Sequence, residues 1–391
     1  MTNRQLFFNH VAQTSEAPLA LEIEKAEGLY LYGSGGKRYL DLISGISVSN
    51  VGHRHPKVVQ AIHDQLDKYM HLMVYGEYIQ SPQAQFAKAL ADLLPENLRS
   101  VYFTNSGSEA IEGAMKLAKR FTGRTEIISF KNAYHGSTQG SLSIMGCEEF
   151  KNAFRPLLPD TKQIRYNNIT DLELITNRTA CVIVEMVQGE AGAIVPENDY
   201  LRKLREKCSS TGTLLVADEI QCGFGRTGTL FAFEQFGFVP DILCLAKAMG
   251  GGMPVGAFVS SGAVMQVLTN NPVLGHITTF GGHPVCCAAG LAALQVLLEE
   301  KLSEKVAEKE ALFRSLLKHP QIRAVNGKGL LLSVVFDSYE QNKTIIDKCI
   351  EDGIITDWFL FNAHSMRIAP PLTITEEEIR TACAIILKNI G

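Results

Sequence analysis

The sequence has no CxxC pair, no long basic stretch and no apolar run long enough to cross a membrane. Each absence removes a class of function. Its nine cysteines are odd in number and fall mostly inside apolar segments, as Cys181, Cys244, Cys286 and Cys287 do. That usage fits reduced, buried thiols and speaks against a disulfide framework or a zinc site. No HExxH occurs, and His53 and His55 in "GHRHP" have no third ligand nearby, so no metal is expected. The net charge of −4 argues against nucleic acid or an anionic membrane as the main partner. The N-terminal segment lacks the apolar core of a signal peptide, and a cytoplasmic location is expected. Neither an internal repeat nor a low-complexity linker is present.

What is there is a large apolar core. The chain of 391 residues is 46% hydrophobic and 20% charged, enough for two domains or one with an appendage. "SVYFTNSG", "TEIISF", "ACVIVEMV", "GTLLVADEI", "PDILCLA" and "PVGAFVSS" each read as strands buried on both faces. Helical patterns separate them, notably over 108–121 and 200–210, so the fold class is α/β with a mostly parallel sheet. The run "PVCCAAGLAALQVLL" reads as a buried helix packed closely on a neighbour. This large domain is placed at 50–295. Beyond it, "LEEKLSEKVAEKEALFRSLLKHP" reads as one long amphipathic helix. "GKGLLLSVVFD", "GIITDWF" and "SMRIAPPL" then read as strands of a smaller α+β unit, closed by a helix over "TEEEIRTACAIILKNI". Residues 1–49, with strand-like "GLYLYGSGGKRYLDL", are expected to pack beside 296–391 as the small domain.

Lys247 is the most informative residue. It ends an apolar strand and precedes Gly250, Gly251 and Gly252. Burying an ammonium is costly, whereas a desolvated lysine has a lowered pKa and can form a Schiff base. Asn105, Ser106, Gly107 and Ser108 lead a strand into a helix, where free backbone N–H groups and the helix dipole favour a phosphate. An ordinary N-cap by Ser106 or Ser108, with Glu109 in the first turn, explains the same residues. Asp218 ends another buried strand, at the edge where open α/β sheets bind ligands, and a protonated ring nitrogen would satisfy it. It precedes Lys247 by 29 positions (247 − 218), room for a crossover and one more strand. Gly223, Gly225 and Gly228 spell GxGxxG, but no clean helical pattern follows, so a nicotinamide site is not expected.

A phosphate cradle, a carboxylate for a pyridinium nitrogen and a Schiff-base lysine together point to pyridoxal 5'-phosphate. With "GHRHP", "SGSEA", "YHGST", "EMVQGEAG", "ADEIQCGFGRTG", "LAKAMGGGMPVGA", "TTFGGHP" and "MRIAPPL" in order, the chain resembles the class III aminotransferases of fold type I. These include the ornithine, acetylornithine and 4-aminobutyrate enzymes. The resemblance covers nearly the whole chain. It implies that Lys247 binds the cofactor and moves protons, that Asp218 keeps the pyridine nitrogen protonated, and that Gln221 meets the phenolic oxygen. It further implies that Tyr134 stacks on the ring, with His135 and Gly136 shaping that turn, and that Gly107 and Ser108 hold the phosphate. Thr279 would complete the phosphate site from a partner subunit, implying a homodimer. Arg367 would grip a substrate carboxylate, and Glu190 would pair with Arg367 when an ω-amine enters; a purely structural ion pair is the other reading of these two.

Two positions depart from the family. Ser137 stands where several members carry an arginine for a distal carboxylate, and this is expected to weaken use of 2-oxoglutarate. His283 makes "GGHP" of the family's "GGNP". The implied activity is transfer of an amino group from an ω-amine or amino-acid donor to a 2-oxo acid. An amino-acid racemase or aminomutase on the same scaffold is the alternative. The residues do not name the donor, whose pocket is expected to depend on positions near Tyr75 and Tyr78 of a partner.

Overall fold

The computed structural model describes residues 1–391. After a short helix, Asn3–His10, three antiparallel strands form: β1 (Ile23–Glu27), β2 (Tyr30–Gly33) and β3 (Arg38–Asp41). The central sheet takes seven strands: β4 (Ser100–Thr104), β5 (Glu126–Phe130), β6 (Thr161–Ile164), β7 (Thr179–Glu185), β8 (Leu214–Asp218), β9 (Ile242–Leu245) and β10 (Gly256–Ser260). Their spatial order is β4-β10-β9-β8-β7-β5-β6. Pairs from β6 to β9 are parallel, and β10 alone runs against its neighbours β9 and β4. β7 and β8 are buried along their whole length, which explains why they read as unbroken apolar runs rather than alternating ones.

The helix Gly107–Thr122 follows β4 directly. Ser106 caps it by accepting from Glu109 N at 3.2 Å, and Gly123 ends it in the left-handed region at φ +68°. Its face Ala110, Ile111, Ala114, Met115 and Ala118 is buried at helical spacing. Gly113 permits close approach to the sheet, since a Cβ there would lie 2.2 Å from the Phe258 ring. The buried helix Pro284–Glu299 packs just as closely: a Cβ on Gly290 would lie 2.6 Å from the Phe86 ring.

The C-terminal region adds β11 (Ala324–Lys328), β12 (Leu331–Val335), β13 (Ile354–Ile355), β14 (Trp358–Phe359) and β15 (Asn362–Ile368). Four of these form a sheet in the order β11-β12-β15-β14. Two expectations need correction here. "GIITDWF" is not one strand: β13 pairs in parallel with β3, and β14 pairs with β15. The chain changes sheets between them, at Thr356 and Asp357. Nor is there one long helix after residue 297. The helix Pro284–Glu299 stops, a 3-10 turn spans Ser303–Lys305, and a new helix runs Val306–Leu316. Lys301 adopts φ +51°, and Leu302 N bonds Leu297 O at 3.1 Å, a Schellman-type stop without the usual glycine. The break lets both Leu302 and Val306 reach the core.

One continuous apolar core includes Leu40, Val184 and Leu332, one from each sheet. Arg226 bolts the three regions together. It is fully buried and donates to Leu330 O at 2.9 Å, Pro370 O at 2.5 Å, Ser44 Oγ at 3.3 Å and Asn50 Oδ1. Burial lowers its pKa to about 9.

Candidate active site

The parallel strands β7, β8 and β9 end on one side of the sheet, and a cavity of about 420 Å³ opens there. Backbone geometry alone brings Lys247 and Asp218 to its wall. Asp218 is opposite Cys244 in the β8–β9 ladder, and Lys247 lies three residues beyond Cys244. Lys247 sits at φ +51°, an unfavourable conformation for a side chain with a Cβ, at the start of a 3-10 turn that leads into the glycines. It is half-buried, with its surface on the cavity. Desolvation lowers its pKa and favours the neutral amine, against the opposing pull of Glu190.

Asp218 is 4% exposed. Its Oδ1 accepts from Ile220 N at 3.0 Å and its Oδ2 meets His135 Nδ1 at 2.7 Å. Burial pulls the His135 pKa down, but its bond and proximity to Asp218 outweigh this and raise it. His135 Nε2 is buried with no hydrogen-bond partner. The resemblance implies only a shaping role for His135; its pairing with Asp218 comes from the fold. Glu185 was not singled out from the sequence. It ends β7 as Asp218 ends β8, and that parallel could have revealed it. Its carboxylate accepts from Tyr134 N at 3.0 Å and Gly189 N at 2.8 Å, tying two wall loops together, and burial raises its pKa to about 7.

Asn105, Ser106, Gly107 and Ser108 line the cavity at the start of their helix. Glu109 reaches back to Asn105 N at 2.8 Å and Nδ2 at 2.9 Å. Ser108 Oγ accepts from Ser137 N at 3.3 Å. Gly136, at φ +125°, is required there, because a Cβ would lie 2.1 Å from that hydroxyl. Tyr134 is half-buried in the wall, and burial raises its pKa. Gln221 lies so close to Gly189 that a Cβ on the glycine would fall 1.6 Å from its Oε1.

Glu190 lines the far side of the cavity. Arg367, from β15, donates to both its oxygens, Nη1 to Oε1 at 3.0 Å and Nη2 to Oε2 at 2.9 Å. Leu360 N reaches Oε2 at 3.0 Å, and Gln221 Nε2 lies 3.5 Å from Oε1. Burial pushes the Glu190 carboxyl up, and the Arg367 guanidinium overcomes it, leaving the net shift downward. Arg367 also binds Asp357, Nε to Oδ1 at 2.9 Å, a partner the sequence reading missed.

Some residues stand apart. Thr279 is exposed, outside this cavity's wall, between the exposed apolar side chains Ile277 and Phe280. Tyr75 lines separate surface grooves and Tyr78 is exposed. His283 is also outside the wall; it stacks on His71 at 5.5 Å and precedes the helix Pro284–Glu299. Gly223, Gly225 and Gly228 lie outside the cavity wall, in turns and a bend ahead of a five-residue 3-10 helix, Ala232–Phe236.

A family model for class III aminotransferases matches residues 11–390. The chain belongs to the class III aminotransferases. It is 39% identical to the acetylornithine aminotransferase of Methanopyrus kandleri, over 96% of this chain and 95% of that protein. It is 40% identical to the putrescine aminotransferase of Pectobacterium atrosepticum, over 92% of this chain and 79% of that one. Among solved structures, the ornithine aminotransferase of Toxoplasma gondii, described with PLP at its active site, superposes with a TM-score of 0.92. That likeness spans 99% of this chain and 92% of the other, at 32% identity. The cavity at the ends of β7, β8 and β9 is therefore the candidate active site of an aminotransferase, and no helix is long and apolar enough to cross a membrane.

Proposed function

We propose that this aminotransferase uses pyridoxal phosphate at this cavity to move an amino group from an ω-amine or amino-acid donor to a 2-oxo acid. One observation carries the reading: a desolvated lysine and a buried, histidine-paired aspartate end adjacent strands, facing a helix N-terminus across one cavity. The wall fits a planar, phosphate-bearing cofactor. The first-turn N–H groups of Gly107 and Ser108 have no partner within their helix, which suits a phosphate. Asp218 Oδ2 is held by His135, and a carboxylate has acceptor capacity left for a ring N–H.

The cofactor, when bound, supplies a carbonyl that takes the amino group and a protonated ring that withdraws electrons from the donor carbon. Lys247 Nζ would hold the cofactor at rest and, once the donor amine takes its place and frees it, would take and return a proton at the reacting carbon. Asp218 would keep the ring nitrogen protonated, with His135 Nδ1–H orienting that carboxylate. Tyr134 would cover a ring face, Gln221 would meet the phenolic oxygen, and Gly107 and Ser108 would hold the phosphate. Glu190 neutralises Arg367 when the donor brings no carboxylate to the reacting carbon, and yields it to a substrate carboxylate when one arrives.

The same reading places the protein in the cytoplasm as a homodimer. Exposed Ile277 and Phe280 beside Thr279, with exposed Met70 and Ile79, support a shared interface. There Thr279 of the partner subunit completes the phosphate site. Residues 50–295 would form the cofactor domain, and 1–49 with 296–391 the smaller one; the β3–β13 pairing supports grouping the two ends. Nine unpaired cysteines suit a reducing compartment. Acetylornithine, ornithine and putrescine, named for its relatives, are the first donors to try. The test is the visible absorption band of the lysine-bound cofactor. A band that bleaches with a donor and returns with a 2-oxo acid is expected. A band indifferent to every amine would contradict the reading.

A further inference from the structure

Arg367 has more counter-charge than a single gate requires. Its Nη1 and Nη2 edge is taken by Glu190, its Nε by Asp357 at 2.9 Å, and Nη2 also approaches Trp358 O at 3.3 Å. The Phe359 ring lies 4.4 Å from its guanidinium carbon. Two carboxylates therefore share one guanidinium whose side chain is 2% exposed.

The two carboxylates are held differently. Glu190 belongs to the loop after β7; its main chain is held by Phe361 N, which donates to Glu190 O at 3.0 Å, so its carboxylate leaves Arg367 and Leu360 N only by a swing of the side chain. Asp357 is fastened to Arg367 through the backbone. Arg367 N donates to Asp357 O at 2.8 Å, and Thr356 Oγ1 donates to Arg367 O at 2.6 Å. This is the point where the chain leaves β13 for β14. Separating Glu190 from Arg367 breaks none of the bonds that hold Asp357.

We propose that Asp357 is a specificity-determining residue: fixed on the Nε edge of Arg367, it disfavours donors that carry a carboxylate on the reacting carbon. This rests on the reading of Arg367 and Glu190 given above. Charge around the one guanidinium sets the preference. A substrate carboxylate that takes the Nη1 and Nη2 edge joins Asp357 on the guanidinium while the displaced Glu190 stays in the adjacent wall, so three carboxylates crowd one cation. Without the charge of Asp357 there would be two. A donor whose reacting carbon carries only hydrogen leaves the closed pair untouched and feels little of this. Asp357 thereby tilts the site toward terminal amines, and the 2-oxo acid must overcome the same repulsion in the second half-reaction.

The charged groups that face Asp357 come from three elements: Arg367 on β15, Glu190 after β7, and Asp41 at the end of β3, itself 2.8 Å from His53. Burial, with Arg367 opposing and Glu190 and Asp41 assisting, pushes the Asp357 carboxyl up to about 6, although 28% of the side chain stays accessible.

The experiment compares half-reaction rates of the holoenzyme with L-alanine and with putrescine, followed at the cofactor band. Asp357→Asn keeps an acceptor for Arg367 Nε and removes the charge. The expected result is a rise of at least about five-fold in the ratio of kcat/KM for L-alanine over putrescine, carried by a lower KM for L-alanine. In the wild-type protein the same ratio rises as pH falls from about 8 to about 5.5, because protonating Asp357 removes the same charge, and the variant lacks this slope. The wild-type profile decides the matter if the variant does not fold. A ratio unchanged by Asp357→Asn and flat with pH, including no detectable reaction with L-alanine in either protein, would overturn the proposal. If Glu190→Gln shifts the ratio and Asp357→Asn does not, only the role of Asp357 falls. If neither shifts it, the Glu190–Arg367 reading falls too.

Discussion

Two buried clusters of opposite charges flank the cavity, and they are built differently. Asp218 and His135 sit on the central sheet side. Asp218 is held by its own chain two residues on, at Ile220 N, and by a histidine with no other partner. Arg367 on β15 meets Glu190 in the loop after β7, 177 positions apart in sequence. The first cluster joins the end of β8 to the loop after β5, two parallel strands of one sheet. The second joins the central sheet's loop to the C-terminal sheet, and on the proposed function it opens and closes. A constant partner for a cofactor suits the first; an exchangeable partner for varying substrates suits the second. In both, truncating one member leaves a buried charge uncompensated, so isosteric substitutions are the informative ones.

Breaking the chemistry that the fixed side serves should have the largest effect. Lys247→Ala should lower kcat by at least about 10³-fold and abolish the lysine-bound cofactor band, since no other amine lines the cavity. Steady-state assays and an absorption spectrum check both. Asp218→Asn should follow, with kcat down about 10²-fold or more and KM for the donor little changed, because it removes charge aimed at the ring and not at the substrate. Moving to the exchangeable side, Glu190→Gln should shift preference by about ten-fold toward donors with a carboxylate on the reacting carbon. Paired kcat/KM values for two donors read this directly. A Glu190→Gln variant that lost both donors equally would make the second cluster as fixed as the first. The smallest expected effect is at the rim. Ser137 is exposed, and Ser137→Arg should gain about 1.5 kcal/mol, roughly ten-fold, in kcat/KM for 2-oxoglutarate.

The fixed side was the more legible in sequence. Asp218 and Lys247 end apolar runs, and the parallel ladder brings such ends together, so strand patterning was enough to place them. The helix Gly107–Thr122 was equally plain from its cap and its apolar spacing. The exchangeable side was legible only in part. The resemblance pointed to Arg367 and Glu190, but Asp357 lies where the chain changes sheets, and no local pattern announces a change of sheet. The break at Lys301 was hidden for a similar reason. Its stop is set by Leu302 and Val306 reaching the core, and a lysine occupies the left-handed position where a glycine would have signalled it. Glu185 ends a strand as Asp218 does, but Met186 and Val187 carry the apolar run past it and blur that end in the sequence.

The most direct test is a crystal structure of the holoenzyme with a bound 2-oxo acid. The account predicts that the ligand carboxylate takes the Nη1 and Nη2 edge of Arg367, that Glu190 has moved away, and that His135 Nδ1 remains bonded to Asp218 Oδ2 as it is here, at 2.7 Å. A bound oxo acid with the Arg367–Glu190 pair intact, or with the His135–Asp218 pair broken, would contradict the division into one fixed and one exchangeable cluster.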